Sequence, residues 1–216
     1  MIPQKQLNEI RILLEKSENP LFFYDDDVDG LTSYLLLRKF IDRGIGVMVR
    51  KSPSLTIDYL YKIKEHNPDI IFVIDKPLVD QEFIDKVNIP MIWIDHHYPV
   101  KRKGIKYFNP KLKNINEHTS TSYWCYKIVK ENLWIAMIGM FGDYFMPNLT
   151  KAFAKEYPRL IKKINKEEII FKSELGKLIK ICDFILKGKF PEINAYIELL
   201  YSINDPYELL DKKTKN

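Results

Sequence analysis

An apolar run that stops at an aspartate, Leu21-Phe22-Phe23-Tyr24-Asp25, sets the pattern from which the architecture of this chain follows. Two later runs share this pattern, because residues 70–74 precede Asp75 and residues 91–94 precede Asp95-His96-His97. A short apolar run that ends so abruptly predicts a buried parallel strand. In open α/β folds, ligands bind at the carboxyl edge of such strands. The sequence therefore predicts a site rich in carboxylate and imidazole groups at one edge of a sheet.

Helical patterns separate these runs and then take over the chain. Before residue 119, helices are predicted at 6–14, 31–41, 57–66 and 80–87, and further strands at 46–49 and 107–108. This alternation indicates βαβ units. From Thr119 onward the pattern predicts helices alone: one capped by residues 119–122 that runs to residue 129, and others at 133–141, 175–186, 193–203 and 206–211. We therefore predict an α/β fold, with a mostly parallel β-sheet flanked by helices and then an all-helical C-terminal extension. Residues 1–150 would form the domain that carries the site, and residues 151–216 a helical extension or connector.

The composition sets the broad class of protein. At 216 residues and 46% hydrophobic content, the chain can bury the core of one domain plus an appendage. No run reaches the roughly 18 apolar residues that a membrane span needs, and residues 1–5 do not resemble a signal peptide. Cys125 and Cys182 stand singly in helical segments, which favours core packing in a reducing compartment. We therefore expect a cytoplasmic protein without membrane contact.

The charge is a weaker guide to the partner. The net charge of +5 fits a nucleic-acid partner, although a lysine-rich surface is the simpler explanation. Divalent ions bound to the aspartates would make the protein more basic.

Three aspartates crowd the turn after the first strand: Asp25, Asp27 and Asp29, followed by Gly30. Because side chains alternate along an extended segment, we expect these three to converge and Asp26 to point away. Three carboxylates within five residues repel one another unless a cation or protons intervene. A divalent metal is the natural resolution. An acidic surface turn and a calcium loop are the alternatives, although the closing Glu of an EF-hand loop is missing.

A second group of metal-binding residue types follows the third strand, in Asp95-His96-His97. An imidazole can bind a metal through one nitrogen while a carboxylate orients the other. Mixed imidazole and carboxylate ligands suit manganese, with iron and zinc as competitors, better than magnesium or calcium. A histidine pair at a strand end is more often structural, but two other strands that end in aspartate favour a metal site here.

Four motifs resemble, in order and rough spacing, those of the DHH phosphoesterase family. They are Tyr24-Asp25-Asp26-Asp27-Val28-Asp29-Gly30, Val73-Ile74-Asp75, Asp95-His96-His97 and Ile138-Gly139-Met140-Phe141-Gly142-Asp143. Within the family the chain is most similar to the archaeal RecJ-like proteins, also through Trp93-Ile94-Asp95-His96-His97-Tyr98-Pro99 and Trp134-Ile135-Ala136. The combination is specific, whereas each motif alone is not. The resemblance covers the first domain and extends loosely to about residue 210.

This resemblance implies a phosphodiester hydrolase that uses two divalent ions, Mn²⁺ first and Mg²⁺ second. It implies that six side chains hold them: Asp25, Asp27, Asp29, Asp75, His96 and Asp143. It also implies three catalytic positions, because Asp75 would bridge the ions, His97 would lie beside the scissile phosphate and Asp95 would orient a histidine. Two such ions activate a water and neutralise charge in the transition state. The D-x-D-x-D form of the first motif favours the nuclease branch over the pyrophosphatase branch.

The resulting prediction is a RecJ-like exonuclease on single-stranded DNA or RNA. The alternatives are a small-nucleotide phosphodiesterase or phosphatase, of the oligonucleotide or cyclic dinucleotide type, a pyrophosphatase, and a replisome scaffold. RecJ-like proteins usually continue into a second, DHH-associated domain that this sequence lacks. A fragment, a minimal form, and a subunit that meets a separately encoded second domain or replisome proteins all fit.

Substrate contacts are predicted at Thr119, Ser120 and Lys76. The first two, at the start of a predicted helix, either present N–H groups to a phosphate or serve as an ordinary N-cap. Lys76 either meets a substrate phosphate or is solvated. Three aromatic residues either stack on bases or pack in the core: Tyr98, Tyr107 and Trp124.

Overall fold

A five-stranded parallel sheet forms the centre of the computed structural model, which describes residues 1–50 and 53–211. The strands are β1 (Pro20–Asp25), β2 (Ile45–Val49), β3 (Ser54–Leu55), β4 (Ile70–Ile74), β5 (Leu78–Val79), β6 (Met91–Ile94) and β7 (Lys106–Phe108). The main sheet has the order β2-β1-β4-β6-β7, and β3 pairs with β5 separately. All these pairings are parallel. The carboxyl ends of β1, β4 and β6 therefore lie next to one another.

Helices cover both faces of this sheet. Within the described residues they are α1 (Gln4–Lys16), α2 (Val28–Ile41), α3 (Leu60–His66), α4 (Gln81–Lys86), α5 (Thr121–Val129), α6 (Leu133–Gly142), α7 (Thr150–Glu156), α8 (Lys166–Lys172), α9 (Glu174–Leu186), α10 (Phe190–Ser202) and α11 (Pro206–Leu210). Short 3₁₀ turns at Ile57–Tyr59 and Pro110–Leu112 complete the order.

The apolar runs of the strands are continuous because both faces of the sheet are buried. On β1, Phe22 and Tyr24 face a large core that α1, α2, α5 and α6 share, whereas Leu21 and Phe23 face a smaller core under α3 and α4. The same alternation holds for β4 and β6, whose side chains divide between the two cores. Burial on both faces is what lets a strand carry no polar alternation.

The predicted fold class is confirmed: a parallel sheet flanked by helices, followed by helices alone. Some local predictions were wrong or incomplete. The sequence pattern missed α7, α8 and the β3 and β5 pair. The second helix begins at Val28 and not at residue 31, because Asp27 caps it. Cys125 and Cys182 are free and buried, as predicted.

The helices beyond residue 150 share the large core with the helices before it. α9 packs on α6 and α2, and Leu175 and Leu178 of α9 belong to the same buried cluster as Phe141. The division into residues 1–150 and 151–216 stays a prediction, and residues 212–216 lie outside the described part of the chain. Among the described residues, no helix is long and apolar enough to cross a membrane.

Candidate metal centre

The carboxyl ends of three adjacent strands deliver the predicted acidic residues to one place. β1 ends at Asp25, Asp75 follows β4 directly, and Asp95 follows β6. Because β4 lies between β1 and β6, Asp75 stands at the middle of this edge. The N-termini of α2 and α5 and the C-terminus of α6 close the site around it.

The Asp25 to Asp29 turn converges by a different geometry from the predicted alternation. Asp27 is the N-cap of α2, and its Oδ1 accepts a hydrogen bond from the N–H of Gly30 at 2.8 Å. Asp29 therefore stands in the first turn of a helix and not in an extended segment. A side chain at Gly30 would bring its Cβ to 2.6 Å from the carbonyl oxygen of Asp25. The close approach of α2 to the end of β1 thus requires glycine.

The N-terminus of α5 binds a carboxylate of the protein itself. The backbone N–H groups of Thr121 and Ser122 donate to Asp29 at 2.7 and 3.0 Å. Ser120 caps the helix through the N–H of Tyr123 at 3.4 Å. The N–H groups of Thr121 and Ser122 thus meet a carboxylate of the protein, as helix N-termini meet anions.

Thr119 and Ser120, predicted to contact a substrate phosphate, are buried. Ser120 is fully buried, and the Thr119 hydroxyl accepts a hydrogen bond from the indole of Trp124 at 2.8 Å. N-capping, the alternative interpretation, is what Ser120 does. Substrate contact by Thr119 or Ser120 stays a prediction, and Trp124 is a core residue.

Asp75 is the most strongly constrained residue of the site. It is fully buried, and its φ of +62° lies in the left-handed region, which non-glycine residues occupy at a cost of about 1–3 kcal/mol. Its Oδ1 accepts a hydrogen bond from the Thr121 hydroxyl at 2.7 Å. No donor in the described part of the chain reaches its Oδ2. A buried carboxyl oxygen without a donor requires a cation or a proton.

His96 stands between three carboxylates. Its Nε2 lies 3.4 Å from Asp75 Oδ1 and 4.0 Å from Asp29 Oδ2. Its Nδ1 lies 3.6 Å from Asp143 Oδ2, at the end of α6. Burial, helped by the charge of His97, lowers the pKa of His96 to about 4. His96 is therefore neutral at physiological pH, the form that binds a metal.

The histidine that Asp95 contacts is His97. The two groups lie 2.7 Å apart, Nδ1 to Oδ1. Because an ionised carboxylate only accepts, Nδ1 carries the proton and donates it. Burial lowers the pKa of His97, but the hydrogen bond and charge of Asp95 outweigh it, so the net shift is upward.

Two further groups hold the Asp95 carboxylate, a role that no sequence pattern indicates. The Tyr107 hydroxyl and the Asn109 amide each donate to Asp95 Oδ2 at 2.9 Å. Tyr107 also stacks on Trp93, with ring centroids 3.9 Å apart. Tyr107 is therefore part of the support for Asp95. Tyr98, by contrast, is 75% exposed, and base stacking by it stays a prediction.

Lys76 does not project into solvent. Its side chain is 1% exposed, and its Nζ lies 2.5 Å from Asp25 Oδ1. The solvated alternative is therefore wrong, because the ammonium forms a buried ion pair. Contact of Lys76 with a substrate phosphate stays a prediction. Burial raises the pKa of Asp25, although Lys76 lowers it in part.

Like charges and burial make the metal-free site electrostatically unfavourable. Burial raises the pKa of Asp27 and moves that of Asp75 well above its ordinary value, and neighbouring carboxylates add to both shifts as the second-largest cause. Burial, with the charges of Asp29 and Asp27, raises the pKa of Asp143 from 3.8 to about 7. At neutral pH these groups require protons or cations nearby.

The shifts also predict how stability depends on pH. A carboxyl with a raised folded-state pKa stabilises the fold when protonated, so stability is lost as the pH rises through that pKa. For Asp143 this stability is lost as the pH rises from 3.8 to about 7. The raised pKa of His97 causes a further loss of stability as the pH rises above 6.5. The pKa of His96, lowered to about 4, has the opposite effect, but only below pH 6.5. The metal-free protein should therefore gain stability as the pH falls from 8 to about 6.5.

The donor set fits a divalent metal. Two groups of three residues have ligand atoms within 4.8 Å of one another: Asp75, His96 and His97, and Asp29, His96 and Asp143. Carboxylate and imidazole donors together suit Mn²⁺, Fe²⁺ or Zn²⁺. Four of the six predicted ligands thus lie in these groups, whereas Asp25 and Asp27 lie beside them and stay predictions. His97, predicted only as catalytic, is close enough to be a ligand.

The fold and this site together are of the kind found in metal-dependent phosphoesterases. Residues 21–155 match the family described as "DHH family, N-terminal domain". This match covers more than half of the chain, which therefore belongs to the DHH family, as the motifs indicate. No curated protein matches the chain.

Solved structures of low sequence identity share the fold. RecJ of Thermus thermophilus in complex with Mn²⁺ has a TM-score of 0.60 at 18% identity, over 98% of this chain and 39% of that one. An exonuclease RecJ bound to manganese has a TM-score of 0.60 at 16% identity, over 98% and 69%. The DHH domain of a member of the s1p family of ribosomal proteins has a TM-score of 0.58 at 14% identity, over 96% and 60%. This chain spans about two fifths of the length of the Thermus RecJ.

Proposed function

We propose that the chain is a RecJ-like phosphodiester hydrolase that degrades single-stranded DNA or RNA from an end with two divalent ions, Mn²⁺ in preference to Mg²⁺. The observation that carries the proposal is the meeting of Asp75, Asp29 and Asp143 around His96, at 3.4, 4.0 and 3.6 Å. Membership of the DHH family supports it.

The predicted ligands would hold the two ions in separate groups. Asp29, His96 and Asp143 would hold one ion, Asp75 would serve both, and Asp25 and Asp27 would complete the second. When bound, such ions lower the pKa of a water and offset charge on the phosphate oxygens. Thr121 and the α5 N-terminus keep Asp75 and Asp29 in position.

His97 is the best candidate for proton transfer. Because Asp95 holds its Nδ1–H, its Nε2 is the nitrogen that would meet a phosphate at the metal centre, and its raised pKa favours the charged form. A proton on Nε2 can pass to the leaving oxygen of the phosphodiester. Asp95 acts through His97 and is a positioning residue.

A small-nucleotide phosphodiesterase is the second candidate. A cavity of about 350 Å³ adjoins Asp27, Asp29 and Asp143, and this volume suits a single nucleotide. A scaffold without activity fits less well, since it has no need for a fully buried Asp75 whose Oδ2 meets no donor in the described structure. The first motif argues against a pyrophosphatase. A second domain or subunit, a replisome partner and a cytoplasmic location remain predictions.

The test is cleavage of end-labelled single-stranded DNA and RNA in Mn²⁺ by the wild type, Asp75→Asn and Asp85→Asn. Asp85 is an exposed carboxylate on α4 and serves as the matched control. We expect a ladder from the wild type and from Asp85→Asn and none from Asp75→Asn. Cleavage of short oligonucleotides or cyclic dinucleotides alone would favour the second candidate. Equal activity in all three proteins would contradict the proposed site.

A further inference from the structure

A cavity of about 350 Å³ joins the metal centre to two exposed aromatic rings. The carboxylates Asp27, Asp29 and Asp143 line it. Tyr144 and Phe171 line it as well, and other lining residues come from α2, α6, α8 and α9. The lining thus combines carboxylates of the metal centre with two aromatic rings, and the mechanism above uses only the carboxylates.

The backbone of Tyr144 has a conformation that is strained for a residue other than glycine. Its φ is +55°, in the left-handed region that favours glycine after a helix. The N–H groups of Tyr144 and Phe145 donate to carbonyl oxygens of α6, which fixes this conformation. A large aromatic residue in such a conformation, next to Asp143, points to a functional constraint. The side chain is 59% exposed and contributes little to the core.

Phe171 and Lys180 also line the cavity, and both are exposed. Phe171 is 53% exposed, and its ring centroid lies 6.4 Å from that of Tyr144. Lys180 is exposed on α9, and none of the ion pairs found among the described residues involves it. The cavity's other acid, Asp183, is 2.5 Å from Lys187 Nζ. Two apolar ring faces and a cation thus adjoin the site.

We propose that Tyr144 and Phe171 bind the base of the nucleotide whose phosphate lies at the metal centre, with Lys180 beside its phosphate or sugar edge. This inference rests on the proposed function, since it assumes a phosphate at the carboxylates. Aromatic rings stack on any base through its π-face, so the subsite selects nucleotides over simple phosphates and not one base over another. A concave site of this size is better suited to bind a small ligand than to bind the flat surface of another protein.

The test compares two ligands that differ by the base alone. Affinities for adenosine 5′-monophosphate and ribose 5-phosphate are measured by calorimetry with Mn²⁺ present, on the full chain. We expect the wild type to prefer the nucleotide by about five- to 150-fold, the range that base stacking spans. Phe171→Ala and Tyr144→Gly should reduce this preference strongly and leave ribose 5-phosphate affinity within about twofold, whereas Tyr144→Phe should keep it.

Two controls separate loss of the subsite from loss of the fold. Tyr61→Ala removes an equally exposed tyrosine, 58% accessible, outside the cavity and should bind like the wild type. Tyr144→Gly should keep or raise the melting temperature, because glycine adopts the φ of +55° without strain.

The inference would be overturned if the wild type bound both ligands equally or bound neither, or if Phe171→Ala and Tyr144→Gly kept the full preference. Its failure differs from failure of the proposed function. Base-dependent binding without cleavage of any strand would support the subsite and reject the nuclease. Cleavage of a strand by a protein that shows no base preference would support the nuclease and reject the subsite.

Discussion

Replacing Asp95 by asparagine isolates the effect of its charge on His97. Asp95 is fully buried and meets His97 Nδ1 at 2.7 Å, and the donors of Tyr107 and Asn109 at 2.9 Å each. Asparagine keeps the shape but removes the negative charge and replaces one acceptor oxygen by an NH₂ donor. At least one of the present donors would then lose its acceptor.

The size of the effect follows from the bond that is lost. A hydrogen bond to a charged group contributes about 1.5–3 kcal/mol. The pKa of His97 should fall, because the hydrogen bond and the negative charge of Asp95 are what raise it. The same free energy corresponds to a loss of about 10- to 150-fold in the cleavage rate. The rate falls because less of His97 is charged and its ring is no longer held by Asp95.

Two measurements check this prediction. An NMR titration of the His97 ring protons gives its pKa in the wild type and in Asp95→Asn, and it does not depend on activity. Cleavage rates at saturating Mn²⁺ give the second value, with Asp85→Asn as the control. A pKa within a few tenths of the wild-type value, together with a cleavage rate within twofold, would refute the role given to Asp95.

Three other perturbations test the supports of the site. Thr121→Val should weaken Mn²⁺ binding by about 10- to 100-fold in calorimetry, because its hydroxyl holds Asp75 at 2.7 Å; unchanged affinity would contradict this. Gly139→Ala should lower the free energy of unfolding in urea by about 1–3 kcal/mol, since its Cβ would lie 2.1 Å from Thr32 Oγ1; an unaltered midpoint would refute that close packing. Without metal, the melting temperature should rise from pH 8 to 6.5, and Mn²⁺ at about 100 times its Kd should add roughly 5–11 °C. A melting temperature independent of Mn²⁺ would argue against the metal centre.

The strand ends were predictable because they depend on local sequence. An apolar run that stops at Asp25, Asp75 or Asp95 carries both the strand and its functional end, and parallel order brings these ends together. The position of Asp29 was also predicted, but for the wrong reason. Alternation is a rule for extended chain, whereas the Asp27 cap starts a helix two residues after β1.

The supporting contacts were not predictable because they join distant segments. Thr121 reaches Asp75 across 46 positions of the chain, and Lys76 reaches Asp25 across 51. Tyr107 and Asn109 meet Asp95 only because β7 pairs with β6. A hydroxyl, an amide or a lysine in a loop has no sequence pattern that names its partner. The proximity of the Tyr144 and Phe171 rings likewise depends on how α8 lies against the end of α6.

An anomalous difference map from crystals of this protein grown or soaked in Mn²⁺ would locate the metal centre without reference to activity. We expect two peaks about 3.5–4 Å apart, within coordination distance of Asp75 and His96. A map without a peak at these residues, in crystals that contain Mn²⁺ elsewhere, would contradict the assignment of the metal centre.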